Sequence, residues 1–382
     1  MNLLFFTHEK EYGGASRALI TLIEDLKKDC NIYVVVPFKK AKIINELKRL
    51  DVNVINCFYS WWQYPKELGL FKKIVFKFLY RFNFVGKFIL KRKIRKLNID
   101  IIHSNTSVID IGSIIAHELN IKHIWHFREF TGKHLDFVCG KEKAYKYIND
   151  SKDRIVYISK AIRDFYEKYI NKELGVLIYD GIPKKYEIDK KYKKKSIITF
   201  LLASTLEKNK GQELCLKATY ILKKDNINNF KLLLAGGNPS GYLDHLKDLI
   251  EKYNISNNVE YIGFVNNMNE LRKNVDVELM CAPREAFGLV TAEAMLAGNA
   301  VIGSNSGATK EIVKDGITGY LYNYEDASDL AKKMKLIIEN PGDIKKFGIE
   351  GKKRILNNFS SEKNYKKILT LYKEEMNDLS KN

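Results

Sequence analysis

Two glutamates eight residues apart, Glu285 and Glu293, are the residues of this chain best spaced for chemistry. They stand in CAPREAFGLVTAEAMLAGNAVIGSNSGATKEIVKDGITGYLY, Cys281 to Tyr322, where a short apolar run of strand type gives way to a turn with Gly288 and then to a helix starting near Leu289. One carboxylate on the turn and one in the first turns of the helix can face a single ligand. Carboxylates accept hydrogen bonds and do not donate them, which suits the hydroxyls of a sugar or a ribose. The free amides of Gly288, Leu289 and Val290 at the helix start suit a phosphate. That division of labour describes a nucleotide-sugar site. A second Gly-rich turn, GSNSGATKE from Gly303 to Glu311, follows close behind.

Other residues are placed where ligands commonly bind. After a strand at Leu3 to Phe6 comes THEKEYGGAS, so Gly13 and Gly14 lie where a strand end meets a helix N-terminus, which favours an anion. Their spacing is not the G-x-G-x-x-G of a plain dinucleotide fold, and a tight turn that needs glycine for backbone reasons explains it equally well. His126 ends the run KHIWHF, on the side of a sheet where α/β proteins bind ligands, although a lone histidine there is commonly structural. His103 and Asn105 end the preceding strand and are secondary candidates. His8, beside the Gly turn, is either an acceptor contact or an exposed loop histidine. The five cysteines lie far apart with no C-x-x-C pair, which points to reduced thiols and no metal site. The nearest approach to a metal-binding D-x-D triplet is Asp276-Val-Glu278, inside a predicted buried strand.

A frame must hold these residues. With 382 residues, 45% hydrophobic and 29% charged, the chain is long enough for two domains and apolar enough to fold. Short β-branched or aromatic runs alternate with helical stretches, which is the pattern of parallel βαβ units and an α/β class. Seven strands are expected in the first half, including Leu3 to Phe6, Ile32 to Val36, Ile99 to His103, Lys122 to Phe127 and Ile155 to Ser159. Five follow in the second half, at Ile197 to Ala203, Lys231 to Ala235, Val259 to Phe264, Val277 to Ala282 and Ala300 to Gly303. Asp180 to Lys195, a basic stretch with Gly and Pro, reads as a solvated linker. Three helices near Asp326 to Glu339, Ile344 to Leu356 and Ser361 to Met376 end the chain. The beginning carries no secretion signal, and no segment is apolar enough to span a membrane.

With these motifs in place, the sequence resembles the retaining glycosyltransferases of family 4, the group 1 glycosyltransferases with the GT-B fold. The family's E-x7-E signature is Glu285 to Glu293 with FGLV between them, followed by EAM, a strand, a Ser-Gly-rich turn and E-I-V-x-D-G-x-T-G. DIIHSN from Asp100 to Asn105, HIWHFRE from His123 to Glu129, VYISKAI from Val156 to Ile162 and IYDGIP from Ile178 to Pro183 stand in family order, so the resemblance covers most of the chain. It implies two Rossmann-like domains with parallel sheets facing across a cleft. Residues 1–182 would bind the acceptor and residues 183–360 the nucleotide-sugar, with a helix over 361–382 packing back on the first domain.

The resemblance also implies roles. Glu285 would contact hydroxyls of the donor sugar and Glu293 the ribose, and the stretch Phe287, Gly288, Leu289 and Val290 would meet the distal phosphate. His126 would contact the transferred sugar, with Arg128, Glu129 and His8 on the acceptor rim. The family's Arg and Lys that stabilise the leaving diphosphate fall in ASTLEKNKGQ, which keeps Lys210 but has Ser204 and Thr205 where the Arg is expected; Lys208 or another cation would substitute. Positioned cations and amides stabilise the charge that develops on a leaving pyrophosphate, and such an enzyme works without a metal or other cofactor. The expected activity is transfer of a hexose or related sugar from a nucleotide-diphosphate sugar, with uridine favoured, to a glycan or lipid-linked acceptor of bacterial cell-surface polysaccharide, with retention of configuration.

Charge adds a partner. The net charge is +19, and ten Lys and Arg residues with no acidic one lie between Glu67 and Asp100. Phe71, Ile74 or Val75, Phe78, Phe82, Val85, and Phe88 or Ile89 recur there at helical spacing. Such a segment, residues 68–97, suits an anionic membrane interface, with the protein cytoplasmic and peripheral on the inner face of the membrane; packing of the aromatic face against a sheet is the other reading. A nucleotide-sugar epimerase on the same frame would bind similar ligands. A nucleic-acid binder fits poorly, since no RNP, KH, helix-turn-helix or finger signature is present.

Overall fold

The computed structural model describes residues 1–131, 135–193 and 195–379. The chain divides into two compact units. Unit 1 is Met1–Gly181 joined by the C-terminal segment from Ser361, and unit 2 is Ile182–Ser360.

The strands of unit 1 are β1 (Asn2–Phe6), β2 (Asn31–Val36), β3 (Asn53–Asn56), β4 (Gln63–Pro65), β5 (Ile101–Ser104), β6 (Lys122–Phe127), β7 (Leu135–Phe137), β8 (Arg154–Tyr157) and β9 (Gly175–Leu177). Seven of them form a parallel sheet in the order β3-β2-β1-β5-β6-β8-β9, and β4 and β7 pair antiparallel apart from it. In β1 every residue from Leu3 to Phe6 is buried. A strand covered on both faces reads as an unbroken apolar run, as LLFF does. Helix Gly14–Leu26 lays Leu19, Leu22, Ile23 and Leu26 against one face, and helix Ser361–Leu379 adds Ile368, Leu371 and Tyr372 to the same core.

Unit 2 has β10 (Ile198–Ala203), β11 (Phe230–Ala235), β12 (Val259–Gly263), β13 (Val277–Met280), β14 (Ala300–Ser304) and β15 (Tyr320–Tyr322), all parallel in the order β12-β11-β10-β13-β14-β15. Both units are therefore the α/β folds expected, of GT-B class. In each sheet the winding reverses beside the first strand, between β1 and β5 and between β10 and β13, and the loops leaving the carboxyl ends at such a point form the natural ligand crevice.

One expectation needs correction. The boundary between the units falls at Gly181, inside the expected linker from Asp180 to Lys195, but the stretch is docked on unit 2 and not wholly solvated, Lys194 lying outside the described residues. Lys190 Nζ donates to the carbonyls of Arg272 and Val275 and to Asn299 Oδ1, Tyr192 Oη donates to the carbonyl of Gly298 at 2.9 Å, and Lys195 pairs with Asp276 at 2.9 Å. Carbonyls at helix ends need donors, and these side chains supply them. Burial lowers the Lys190 pKa to about 8. The basic aromatic segment is two helices, Leu70–Arg81 and Asn83–Ile94, with Phe82 as their junction. The first has no buried residue. The second docks through Gly86, Leu90 and Ile94; a Cβ at Gly86 would stand 2.6 Å from the carbonyl oxygen of Phe58, so only glycine permits that approach.

Candidate functional site

In unit 2 the loops after β10 and β13 leave from adjacent strands. Gly288 has φ +99° and opens helix Leu289–Leu296 with no side-chain cap and no acid in the first turn. Its leading amides are thus open to an anion. The backbone that carries Glu285 is clamped by the second Gly-rich turn. Ala308 N donates to the Glu285 carbonyl at 2.9 Å, and Ser306 Oγ donates to the Pro283 carbonyl at 2.8 Å. Gly307, at φ +54°, lies so close that a Cβ would come within 2.6 Å of that same Glu285 oxygen. Burial raises the Glu285 pKa and Lys210 opposes it, so the two side chains share one electrostatic neighbourhood.

Lys208 and Lys210 form one short helical turn, Lys208 exposed and Lys210 half-buried. Gly211 follows at φ +82° and packs on Cys281, where a Cβ would meet the Cys281 Cβ at 2.4 Å. This contact joins the lysine turn to the root of the glutamate loop. Ser204 and Thr205 are fixed by Gln212, whose Nε2 donates to Ser204 Oγ at 3.0 Å and to the Thr205 carbonyl at 2.9 Å.

Glu293 is only 4% exposed. Arg272, fully buried, reaches it through Nη1 at 3.3 Å and grips Glu278 through Nε at 2.7 Å and Nη2 at 3.3 Å. Burial alone would lower the Arg272 pKa; the two carboxylates more than offset it and raise it. Glu278, the second acid of the D-x-D-like triplet, is therefore the partner of a buried arginine. Among the described residues no group of three His, Cys, Asp or Glu side chains is arranged to hold a metal ion.

In unit 1 the residues expected at the rim turn out to be largely internal. Arg128, 7% exposed, donates from Nη1 to both oxygens of Asp180 at 2.7 Å and from Nε to Asn105 Oδ1 at 2.8 Å. Glu129 accepts from Ser107 N at 2.8 Å, from Ser107 Oγ at 3.1 Å, from Thr106 Oγ1 and from Arg128 N at 3.1 Å. Its carboxylate thus fastens the loop after β5 instead of reaching outward. His8 is half-buried, its ring 5.4 Å from that of Trp61, and burial with the Arg128 charge lowers its pKa to about 3. At Gly13 and Gly14 the helix start is met by the protein's own anion, because Glu9 Oε2 accepts from Ser16 N at 2.8 Å and from Ser16 Oγ at 2.5 Å. His126 is fully buried, with Nδ1 engaged by His103 and Arg128 and with Nε2 lacking a partner.

One arrangement imitates a nucleophile relay. Ser104 Oγ lies 2.8 Å from His123 Nε2, and His123 Nδ1 lies 2.7 Å from Asp153 Oδ2. All three are buried, and Gly112 is packed so tightly that a Cβ there would sit 2.3 Å from Ser104 Oγ. No carbonyl can approach that oxygen. Asp153 also accepts from Ser113 and His117, and although burial opposes it, these partners and His123 hold its pKa well below the carboxylate range. The relay ties β5, β6 and helix Ile111–Leu119 together.

Residues 183–354, nearly all of unit 2, match the family Glycosyl transferases group 1. The chain is similar to that family over these residues. Over its length it is 24% identical across 365 residues, 93% of each chain, to GalNAc-α-(1→4)-GalNAc-α-(1→3)-diNAcBac-PP-undecaprenol α-1,4-N-acetyl-D-galactosaminyltransferase of Campylobacter jejuni. The chain spans about half the length of two other curated relatives, 44% of a Bacillus subtilis glycosyltransferase, EpsD, at 29% identity and 45% of Dictyostelium discoideum α-1,3/1,6-mannosyltransferase ALG2 at 31%. Among solved structures, a glycosyltransferase of Rickettsia africae superposes with a TM-score of 0.81 at 20% identity over 98% of both chains. Anabaena HepE in complex with UDP superposes with a TM-score of 0.80 at 17% identity over 98% of this chain and 100% of that one. The group 1 signature thus lies on the switch-point loops of unit 2. Sequence reasoning missed Arg272, although a glutamate inside a buried strand demands a cationic partner somewhere. It also gave no role to Asp180 or Tyr372.

Proposed function

We propose that the chain is a glycosyltransferase that moves a hexose or related sugar from a UDP-sugar to a glycan or lipid-linked acceptor in bacterial cell-surface polysaccharide synthesis. The observation that carries this reading is the uncapped start of helix Leu289–Leu296 between Glu285 and Glu293, with Lys210 close to Glu285. The amides take the distal phosphate, Glu293 takes the ribose and Glu285 takes sugar hydroxyls. Lys210 and the amides stabilise the leaving diphosphate, which lets the reaction proceed without a metal. Transfer proceeds with retention, the leaving phosphate accepting the acceptor's proton on the same face. HepE binds UDP, and the Campylobacter relative is named for an acceptor on PP-undecaprenol, which supports both the donor and the acceptor class. UDP at about one hundred times its Kd should stabilise the protein by about 2.7 kcal/mol, and Glu293→Gln should remove most of that shift in a thermal-shift panel of nucleotide diphosphates. No stabilisation by any nucleotide diphosphate would refute the reading. Inverted product by NMR would remove retention alone.

The same reading includes a membrane face at residues 68–97. Leu70 and Phe71 are each 78% exposed, and Ile74, Phe78, Phe84 and Phe88 are also exposed. Helix Leu70–Arg81 is attached through Tyr80 Oη, which donates to Asp110 Oδ2, and through Phe76, whose ring lies 6.0 Å from that of Tyr64. Lys87 and Lys91 are paired with Glu118 at 2.7 and 2.6 Å, but Lys72, Lys73 and Lys77 flank the exposed apolar side chains. At about 1 kcal/mol per nearby cation, those three contribute about 3 kcal/mol on an anionic surface. No helix among the described residues is long and apolar enough to cross a membrane. Vesicles containing anionic lipid should bind the protein at low salt, and Phe71→Ser with Phe78→Ser should weaken binding at least tenfold. Equal affinity for neutral vesicles, or none for either, would refute the membrane face.

A further inference from the structure

A chain of buried polar groups leads from the C-terminal helix to His126. Tyr372 Oη is 2.7 Å from His103 Nδ1, His103 Nε2 is 3.1 Å from His126 Nδ1, and Arg128 Nη2 is 3.3 Å from that same Nδ1. Tyr372, His103 and His126 are fully buried. A guanidinium has five N–H donors and no acceptor. Arg128 therefore requires His126 Nδ1 to be the unprotonated nitrogen, since an N–H there would oppose its own. His103 Nε2 must then be a donor to Nδ1 as well, which makes His103 Nδ1 an acceptor and Tyr372 O–H its donor. Two donors share one lone pair, so each bond is weakened, consistent with distances of 3.1 and 3.3 Å.

One hydrogen is left over. With Nδ1 accepting, neutral His126 carries its proton on Nε2, and that buried N–H has no partner; Asp180 Oδ1 lies 4.0 Å from it. Leaving a buried donor unmade is costly, so the position calls for an oxygen. A hydroxyl seated about 2.8 Å from both groups would accept from His126 Nε2 and donate to Asp180. We infer that Tyr372 and His103 are positioning residues which, with Arg128, fix His126 as a neutral Nε2–H donor aimed at a hydroxyl of the ligand. Burial and then the Arg128 charge keep His103 and His126 far below the ordinary histidine range, so neither charges near neutrality. Asp180, the opposing carboxylate, is itself neutralised by Arg128. His126 is then no general base, and the C-terminal helix is part of the site's machinery through Tyr372. The inference rests on placing His126 at the transferred sugar.

Nitrogen NMR of labelled histidine in the full chain tests it. The expected result is Nε2–H for both His103 and His126, unchanged between about pH 6 and 8. Tyr372→Phe should let His103 move toward Nδ1–H and lower kcat about tenfold with little change in KM. His103→Gln, which can donate and accept along the same line, should retain more activity than His103→Leu. A His126 proton on Nδ1, a charged His126 at neutral pH, or a Tyr372→Phe protein with wild-type tautomers and kcat would overturn the inference. Were no glycosyl transfer detected, the tautomers alone would still decide, so failure of the activity reading is distinguishable.

Discussion

Arg272→Met is expected to lower the stability of unit 2 by about 3–5 kcal/mol and to abolish donor binding. Arg272 is 0% exposed and serves two carboxylates, Glu278 at 2.7 Å and Glu293 at 3.3 Å. Removing one member of a buried ionic cluster leaves uncompensated charge, and that penalty exceeds what the pair itself contributes. The double variant Arg272→Met with Glu278→Leu should regain only part of the stability, because an apolar pair replaces Arg272 and Glu278 while buried Glu293 still lacks the guanidinium. It should not regain nucleotide affinity, because Glu293 still lacks the guanidinium that orients it. Separating the two effects is practical. All three tryptophans, Trp61, Trp62 and Trp125, lie in unit 1, so the weakened transition should appear in far-UV circular dichroism before tryptophan fluorescence. A loss below about 1 kcal/mol would make the cluster equivalent to a surface pair and refute the argument.

The elements most plainly legible in the sequence were those whose burial is two-sided. KHIWHF was expected as a strand at Lys122 to Phe127 and is β6 over the same residues, because a short β-branched and aromatic run bounded by polar turns favours an extended segment. β15 was missed: Tyr320–Tyr322 is three residues long and sits among Gly and Thr, so no periodicity announces it. β4 and β7 were missed for a different reason, since Gln63–Pro65 and Leu135–Phe137 pair across 70 residues and neither is a strand without the other. The glutamate loop could be read because its glycines have local tasks, a positive φ at Gly288 and a close approach at Gly307. The destinations of charged side chains could not. Arg128, Glu129 and Lys190 look like solvent-facing residues in sequence, yet each is turned inward by partners 22 to 109 positions distant that only the fold assembles. Ligand-facing and structure-holding charges share one alphabet, and the distinction is made by three-dimensional neighbours alone.

Lys210→Ala should reduce kcat by roughly 10²–10³, the usual consequence of losing one preorganised donor to a developing anion. A cation about 4 Å from a leaving phosphate contributes about 4 kcal/mol at an effective dielectric near 20, which is of the same size. The position favours Lys210 over Lys208. Lys210 is half-buried, its field reaches Glu285, and the following Gly211 is locked against Cys281 at the root of the glutamate loop, whereas Lys208 is exposed. Only an interaction that strengthens as the bond breaks will appear in kcat. If Lys210 instead held the diphosphate equally in ground and transition states, the variant would raise KM for the donor and leave kcat intact. A Lys208→Ala variant with the larger kcat loss would transfer the role to Lys208, the residue that must then stand in for the arginine absent at Ser204 and Thr205. Equal small effects from both would mean that the helix-start amides alone carry the leaving charge.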